Sequence, residues 1–499
     1  MQSPVKTTSY SLDKLVKKMK KATTYQEWEA LAKQHDAQSG AEGWKNQEKC
    51  DLYDYKEISA RLNTLRGYLD KGLARELLYA LNEGVHGNMG GMGSPIMYTQ
   101  AKFGTKKLIN NYVLAIAESM QFIADSPNSI ISHTEKLDFF RRASHCYGRS
   151  SLLLSGGVGL IYFHQGVVQE LINHDLLPNV ISGASAGAII SAQLGTMTND
   201  ELKKGYFLNK RYTELYQSRF LKLFLGQLSD AEIYEIKERF LDEIIPRDIT
   251  FQEAFELTGR YINISISPSE KHQNSRLMNA ITSPNVYIRS AVSASFSVPG
   301  VIPAERLYAK GFDGKTRPYL ENRRWVDGSV AGDLPIKRLS RLYGVNHFIV
   351  SQINPFVVPF IDDIKSKKRK GFRKTLSVAG LNVVNEGLVV AEKMLTKGGD
   401  MGNIVAAKLA YLIRMIEQSY LGDINIILNS KDFKWRNVFF EFRKDEIEKL
   451  VLAGMRSTWP KIPMIKNAEI ISKTLDRILE ELNAATLKEE KQSVHHIYS

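Results

Sequence analysis

Between Leu177 and Ile190 the chain reads LPNVISGASAGAII: an apolar run, five small residues from Gly183 to Gly187, then a helix-forming run. So abrupt a switch predicts a strand, a sharp turn and a helix. Ser185 is the one polar side chain within the turn. G-x-S-x-G is the pattern of a nucleophile elbow, in which small neighbours let strand and helix approach while the serine backbone is strained and its hydroxyl lifted clear. The same turn sets the N–H of Ala186 at a helix N-terminus, where a developing oxyanion is stabilised. A glycine-rich turn without chemistry has the same composition, so the surrounding segments have to decide.

Three segments bear on it. LLLSGGVGLIYFHQGVV is a short apolar run followed by Gly156, Gly157 and Gly159 and then a helical stretch. Free main-chain N–H groups in such a loop form an anion-binding nest. It is not a dinucleotide fingerprint, because Tyr162 stands where the third glycine of G-x-G-x-x-G is needed, and no G-K-[ST] follows. RWVDGSVAGDLP puts Asp327 at a strand end before a turn glycine; a partly buried aspartate there would accept a serine proton, or simply cap its own turn, as Asp333 is expected to do. SAVSASFSVPGVIPAERL, rich in small residues and proline, reads as a loop passing close to the site.

The wider chain supplies a frame. Residues 1–145 carry apolar residues at helical spacing and predict a helical N-terminal domain. Residues 146–355 predict an α/β core, with strands expected in SLLLSGG, NVISG, RYINISIS, PNVYIRSAV, RWVDGSV and HFIVSQIN, and helices crossing between parallel strands. Residues 356–430, a basic linker, a helical stretch and the strand DINIIL, complete the core, and 431–499 form a helical tail. No uninterrupted apolar run is long enough to span a bilayer. The basic start lacks the apolar block of a secretory leader, and Cys50 and Cys146 have no metal-like spacing, so a reducing cytoplasm is expected.

Taken together, the glycine loop, GASAG and WVDGSVAGDLP resemble the patatin-like phospholipase family. HCYGRSSLLLSGG, HQGVVQELINHDLLPNVISGASAG, SPNVYIRSAVSASFSVPG and GNMGGMGSPIMYTQAKFGTKKLINNYV resemble its branch of yeast and plant triacylglycerol lipases, which carries a helical N-terminal domain. The resemblance covers about residues 25–470. It implies a mostly parallel sheet with flanking helices and a Ser–Asp dyad without histidine. By that resemblance Ser185 would attack an ester carbonyl, Asp327 would take the proton, and backbone N–H groups of Gly156, Gly157, Val158 and Ala186 would hold the oxyanion. No metal or other cofactor is implied. Where the family usually has a further glycine, this chain has Ile161, with Gly159 two residues earlier.

Rival readings stay in view. His347 would formally complete a Ser–Asp–His triad, although it begins an apolar strand. His133 and Asp138 have a spacing associated with acyltransferases, so lysolipid acyl transfer is one alternative; a non-catalytic lipid-binding scaffold of the same fold is another. The formal net charge of +13 favours a polyanion. LDKLVKKMKK near the start, with Leu12, Leu15, Val16 and Met19 on one stripe, suits an anionic membrane surface or, equally, a first helix that packs its stripe inward. KSKKRKGFRK at 365–374 suits phospholipid headgroups rather than nucleic acid, for which no binding fold is evident, with a solvated linker as the alternative. The expected partners are a phospholipid or neutral-lipid substrate and a membrane or lipid-droplet surface, bound peripherally.

Overall fold

The computed structural model describes residues 4–205, 222, 227–245, 247–270, 273–299, 301–328, 334–355, 358, 421–429, 431 and 443–498. The basic segment 365–374 and Asp333 lie outside them. The chain divides into two compact units, one made of Met1–Ser150, Leu342–His347 and Trp459–Ser499, the other of Ser151–Arg341 and Phe348–Thr458.

The first unit is helical. Its longest early helix, Lys107–Asp125, buries Leu108, Ile109, Tyr112, Val113, Ile116, Met120 and Ile123, an apolar face at three- and four-residue spacing. Ile471, Leu475 and Ile478, from the final helix Ile462–Tyr498, share the same core. The amphipathic stripe near the start is used inside this unit: Leu15 and Met19 are buried while Lys14, Lys17, Lys18, Lys20 and Lys21 face solvent. The buried part of the stripe is therefore a packing surface, not one offered to a membrane.

The second unit is built on a seven-stranded sheet. Its strands are β1 (Arg149–Leu154), β2 (Val180–Gly183), β3 (Tyr261–Pro268), β4 (Arg276–Met278), β7 (Trp325–Asp327), β8 (Val345–Gln352) and β9 (Ile424–Ile427), with β5 (Leu307–Lys310) and β6 (Thr316–Tyr319) forming a separate hairpin. The order is β4-β3-β2-β1-β8-β9, with β7 also on β3; β1–β2, β2–β3 and β8–β9 pair in parallel, and β4 and β7 run antiparallel to β3. All of β2, and all of β1 after Arg149, is buried, as strands covered by helices on both faces must be. The helices Ile161–Asn173 and Ala186–Thr196 follow β1 and β2.

Two expectations fail here. PNVYIRSAV is not a strand: Val286 makes a single bridge to Ala309, and Ile288–Ser295 is a helix. The small residues of SAVSASFSVPG likewise end that helix rather than forming only a loop. Ile288, Ala291, Val292 and Ser295 recur at helical spacing and are buried, and the alanines and serines let the helix lie flush on its neighbours. Burial of a helical face outweighs the local strand preference of Val-Tyr-Ile. The strands β4, β5 and β6 were not foreseen.

Candidate active site

Ser185 has φ 51° and ψ −118°, a conformation rare for a residue with a side chain, and caps the helix Ala186–Thr196. Its N–H donates to Ser295 Oγ at 3.0 Å, and that hydroxyl donates to Ser265 O at 2.8 Å. A Cβ on Gly183 would lie 2.1 Å from Gly187 O, and one on Gly187 would lie 2.0 Å from Leu154 O. Both outer positions of the pentapeptide are therefore restricted to glycine by close backbone approach. Ala186, the first residue of the helix, carries an N–H that no carbonyl of its own helix can reach.

The glycine loop starts beside this turn because Leu154, the last residue of β1, is paired with Gly183, the last of β2. Gly156, Gly157 and Val158 follow Leu154 by two to four residues; Ser185 and Ala186 follow Gly183 by two and three. The loop is clamped from β8. Ser155 N–H donates to Ser351 O at 3.1 Å, Ile353 N–H donates to Ser155 Oγ at 2.9 Å, and a Cβ on Gly157 would strike Ile353 Cγ1 at 2.5 Å.

His164, one turn into the following helix, is fully buried with Nε2 2.9 Å from Ser155 O and Nδ1 2.7 Å from Ser351 Oγ. A carbonyl only accepts, so Nε2 carries the proton and Nδ1 accepts from the serine hydroxyl. Burial pushes its pKa down to about 4, partly opposed by the bond to Ser155, so the ring is neutral near pH 7.

Asp327 is fully buried and its N–H donates to Ser297 O at 3.0 Å. Its place relative to the serine follows from the register of β3. Ile264 pairs with both Gly183 and Met278, and Ile266 with both Arg276 and Asp327. A strand residue has one partner on each edge, so β4 holds one edge of β3 while β2 and β7 share the other. Along that shared edge Asp327 comes two β3 residues beyond Gly183, roughly 7 Å, in the direction in which Ser185 leaves β2. Directly paired residues share a sheet face, as do residues two apart. Asp327 therefore projects on the face where Gly183 meets Gly187 and Ser191 of the elbow helix. Gly328 must be glycine, since a Cβ there would lie 2.0 Å from Ser265 O.

The supports of this arrangement carry no strong mark in the sequence. Ser295 and Ser297, at the end of one short helix, hold the main chains of Ser185 and Asp327 respectively. Lys237, buried in the helix Asp230–Ile244, donates to Ser297 Oγ at 3.0 Å and pairs with Glu305, and burial lowers its pKa against the pull of that carboxylate. The available signals were faint: a histidine inside an apolar helix, and serines at alternate positions of SASFS.

His347 is elsewhere. Its Nδ1 is 3.0 Å from Ser150 Oγ, at the start of β1, four residues or roughly 13 Å before the residue that faces the elbow. His133 Nε2 bonds Thr486 Oγ1 at 2.8 Å within the helical unit. Both histidines bond to residues of the first unit.

Comparison with known proteins bears on the family of the chain. Two family models match, one described as a domain of unknown function, DUF3336, over residues 5–145, the other as patatin-like phospholipase over residues 152–339. Triacylglycerol lipase ptl2 of Schizosaccharomyces pombe is 30% identical in an alignment covering 93% of this chain and 75% of its own. The chain belongs to the patatin-like phospholipase family. The patatin-like match takes in the glycine loop, the elbow and Asp327 together. Triacylglycerol lipase SDP1L of Arabidopsis thaliana and triacylglycerol lipase 4 of Saccharomyces cerevisiae are also 30% identical, over 93% and 91% of this patatin-like chain. It spans only 58% and 52% of their respective lengths. Among solved structures, VipD of Legionella pneumophila aligns with 64% of this chain and 67% of its own at 12% identity and a TM-score of 0.31, too loose a likeness to argue from.

Proposed function

We propose that the protein is a serine lipid acyl hydrolase that cleaves carboxylic esters of phospholipids or acylglycerols. The observation that carries this reading is the register of β3, which supports an encounter between Ser185 and Asp327 on one edge and one face of the sheet. Asp327 takes the proton of Ser185 Oγ as the oxygen attacks the ester carbonyl. Main-chain N–H groups of Gly156, Gly157, Val158 and Ala186 receive the oxyanion. Collapse of the tetrahedral species expels the alcohol, which leaves with the proton from Asp327, and the acyl group stays on Ser185. Water, deprotonated by Asp327, then releases the fatty acid and restores both residues.

Catalysis is assigned to residues 146–355, with 356–430 completing the core. The names of the lipase relatives support lipid esters as substrates, and the protein works as a cytoplasmic enzyme held peripherally at a membrane or lipid-droplet surface. No helix among the described residues is long and apolar enough to cross a membrane.

The test is turnover of phospholipid and triacylglycerol emulsions by the full chain beside Ser185→Ala and Asp327→Asn. Both variants are expected to lose at least about a thousandfold in rate. Reaction of the wild type with an active-site phosphonate, abolished in Ser185→Ala, separates an enzyme from a lipid-binding scaffold. Full activity in either variant overturns the assignment. Added lysolipid that yields diacyl product would mark the acyl-enzyme as a donor for transfer as well.

A further inference from the structure

The hairpin β5–β6 stands apart from the sheet and ends in the sequence Gly311-Phe312-Asp313-Gly314-Lys315. Phe312 at its tip is fully exposed (115%), more than any other large hydrophobic residue described. The tip is nonetheless a built turn. Gly314 N–H donates to Gly311 O at 2.9 Å, Gly311 N–H to Lys315 O at 2.8 Å, and Lys315 N–H to Asp313 Oδ1 at 3.2 Å. Gly314, at φ +76°, supplies the left-handed residue that closes it. A hydrogen-bonded main chain thus holds the phenyl ring out into water.

Its surroundings indicate what would cover that ring. From Arg306 to Arg324 there are six basic and two acidic residues. Asp313 is engaged by Arg317 at 2.8 Å, and Lys310 by Glu253 at 2.6 Å. Arg306, Lys315 and Arg324 are exposed, as are Tyr308 and Leu320. An aromatic tip among cations matches the boundary of an anionic phospholipid layer, where ring and charge are both satisfied. The base of the hairpin is rigid: Glu305 and Trp325 exchange two backbone hydrogen bonds of 2.8 Å, Trp325 is fully buried, and Asp327 is two residues further on.

We propose that the β5–β6 hairpin is an interfacial anchor that inserts Phe312 among the headgroups of an anionic phospholipid surface and so seats the Asp327 strand against its lipid. The benefit to catalysis rests on the acyl hydrolase reading; the binding does not.

The experiment uses the full chain with vesicles of phosphatidylcholine alone and of phosphatidylcholine with phosphatidylserine, comparing wild type, Phe312→Ala, Phe312→Trp and Lys315→Glu. Sedimentation should show binding that requires phosphatidylserine. Phe312→Ala should weaken it about tenfold, Lys315→Glu by at least roughly fivefold, and Phe312→Trp should retain it. Hydrolysis of a water-soluble short-chain ester should be equal in all four proteins, which also shows that they are folded. Vesicle binding unchanged in Phe312→Ala overturns the proposal. So does binding indifferent to phosphatidylserine, or a loss of self-association in that variant with vesicle binding intact, which would give the hairpin to a second copy of the chain. If the wild type binds as described but hydrolyses no ester, the anchor stands and the hydrolase reading falls.

Discussion

A serine at φ 51° and ψ −118° holds a strain of about 1–3 kcal/mol, which the contacts around it have to offset. Here the counterweight is the Ser295 hydroxyl, which fixes the Ser185 N–H to β3. Ser295→Ala leaves a buried donor and a buried carbonyl without that bridge, so a loss of about 1–3 kcal/mol is expected in denaturant unfolding, with a fall in kcat. His164 makes a separate prediction. Its folded pKa of about 4 lies below the ordinary histidine value of 6.5, so the unfolded chain binds a proton that the folded protein refuses. The contribution of this residue is therefore complete above pH 6.5 and is lost as pH falls towards 4, by about 1.4 kcal/mol per pH unit. In His164→Gln that part of the pH dependence should vanish, which unfolding curves at several pH values would reveal. Because its ring holds the Ser155 carbonyl, the variant should also lose kcat with little change in KM.

Between elements, the tightest contact in the second unit joins the helix after the glycine loop to the helix Lys444–Thr458. A Cβ on Gly166 would lie 1.9 Å from Val451 O, and one on Gly454 would lie 2.1 Å from Phe163 O. Gly454→Val must force these backbones apart and should destabilise by about 1–3 kcal/mol or more, read as a lower unfolding midpoint. It should also slow turnover, since Phe163 adjoins His164. This contact was not visible in the sequence, because isolated glycines in helical stretches look like weak points until the partner helix is known. Continuous apolar runs such as SLLLSGG, NVISG and HFIVSQIN were legible as strands, for they are buried on both faces wherever they pair. The turns that carry Ser185 and Asp327 were legible too, since close backbone approach restricts Gly183, Gly187 and Gly328 to glycine. The strands β4, β5 and β6 were not: three or four residues with exposed polar positions carry no period to read. Nor were Ser295, Ser297, Lys237 and His164, whose roles exist only once distant segments meet.

At the scale of the whole molecule, the first unit is made from both ends of the chain. Ile471, Leu475 and Ile478 are fully buried in a core otherwise supplied by residues before 150. Each contributes about 1.5–3 kcal/mol by burial, together comparable with the net stability of a domain. A chain ended after Thr458 should therefore lose hydrogen-exchange protection at Ile116 and Met120, and its first unit should no longer unfold cooperatively. The formal charge of +13 makes a further demand: attraction to anionic vesicles should weaken as salt is raised past about 0.15 M, while a soluble ester is hydrolysed at the same rate. The shared core also sets a timetable. During synthesis, residues 1–150 must wait, their apolar faces uncovered, until the segment beginning at Ile462 has left the ribosome. Made well before that segment, they close only after it, and in the interval their apolar faces are open to chaperones.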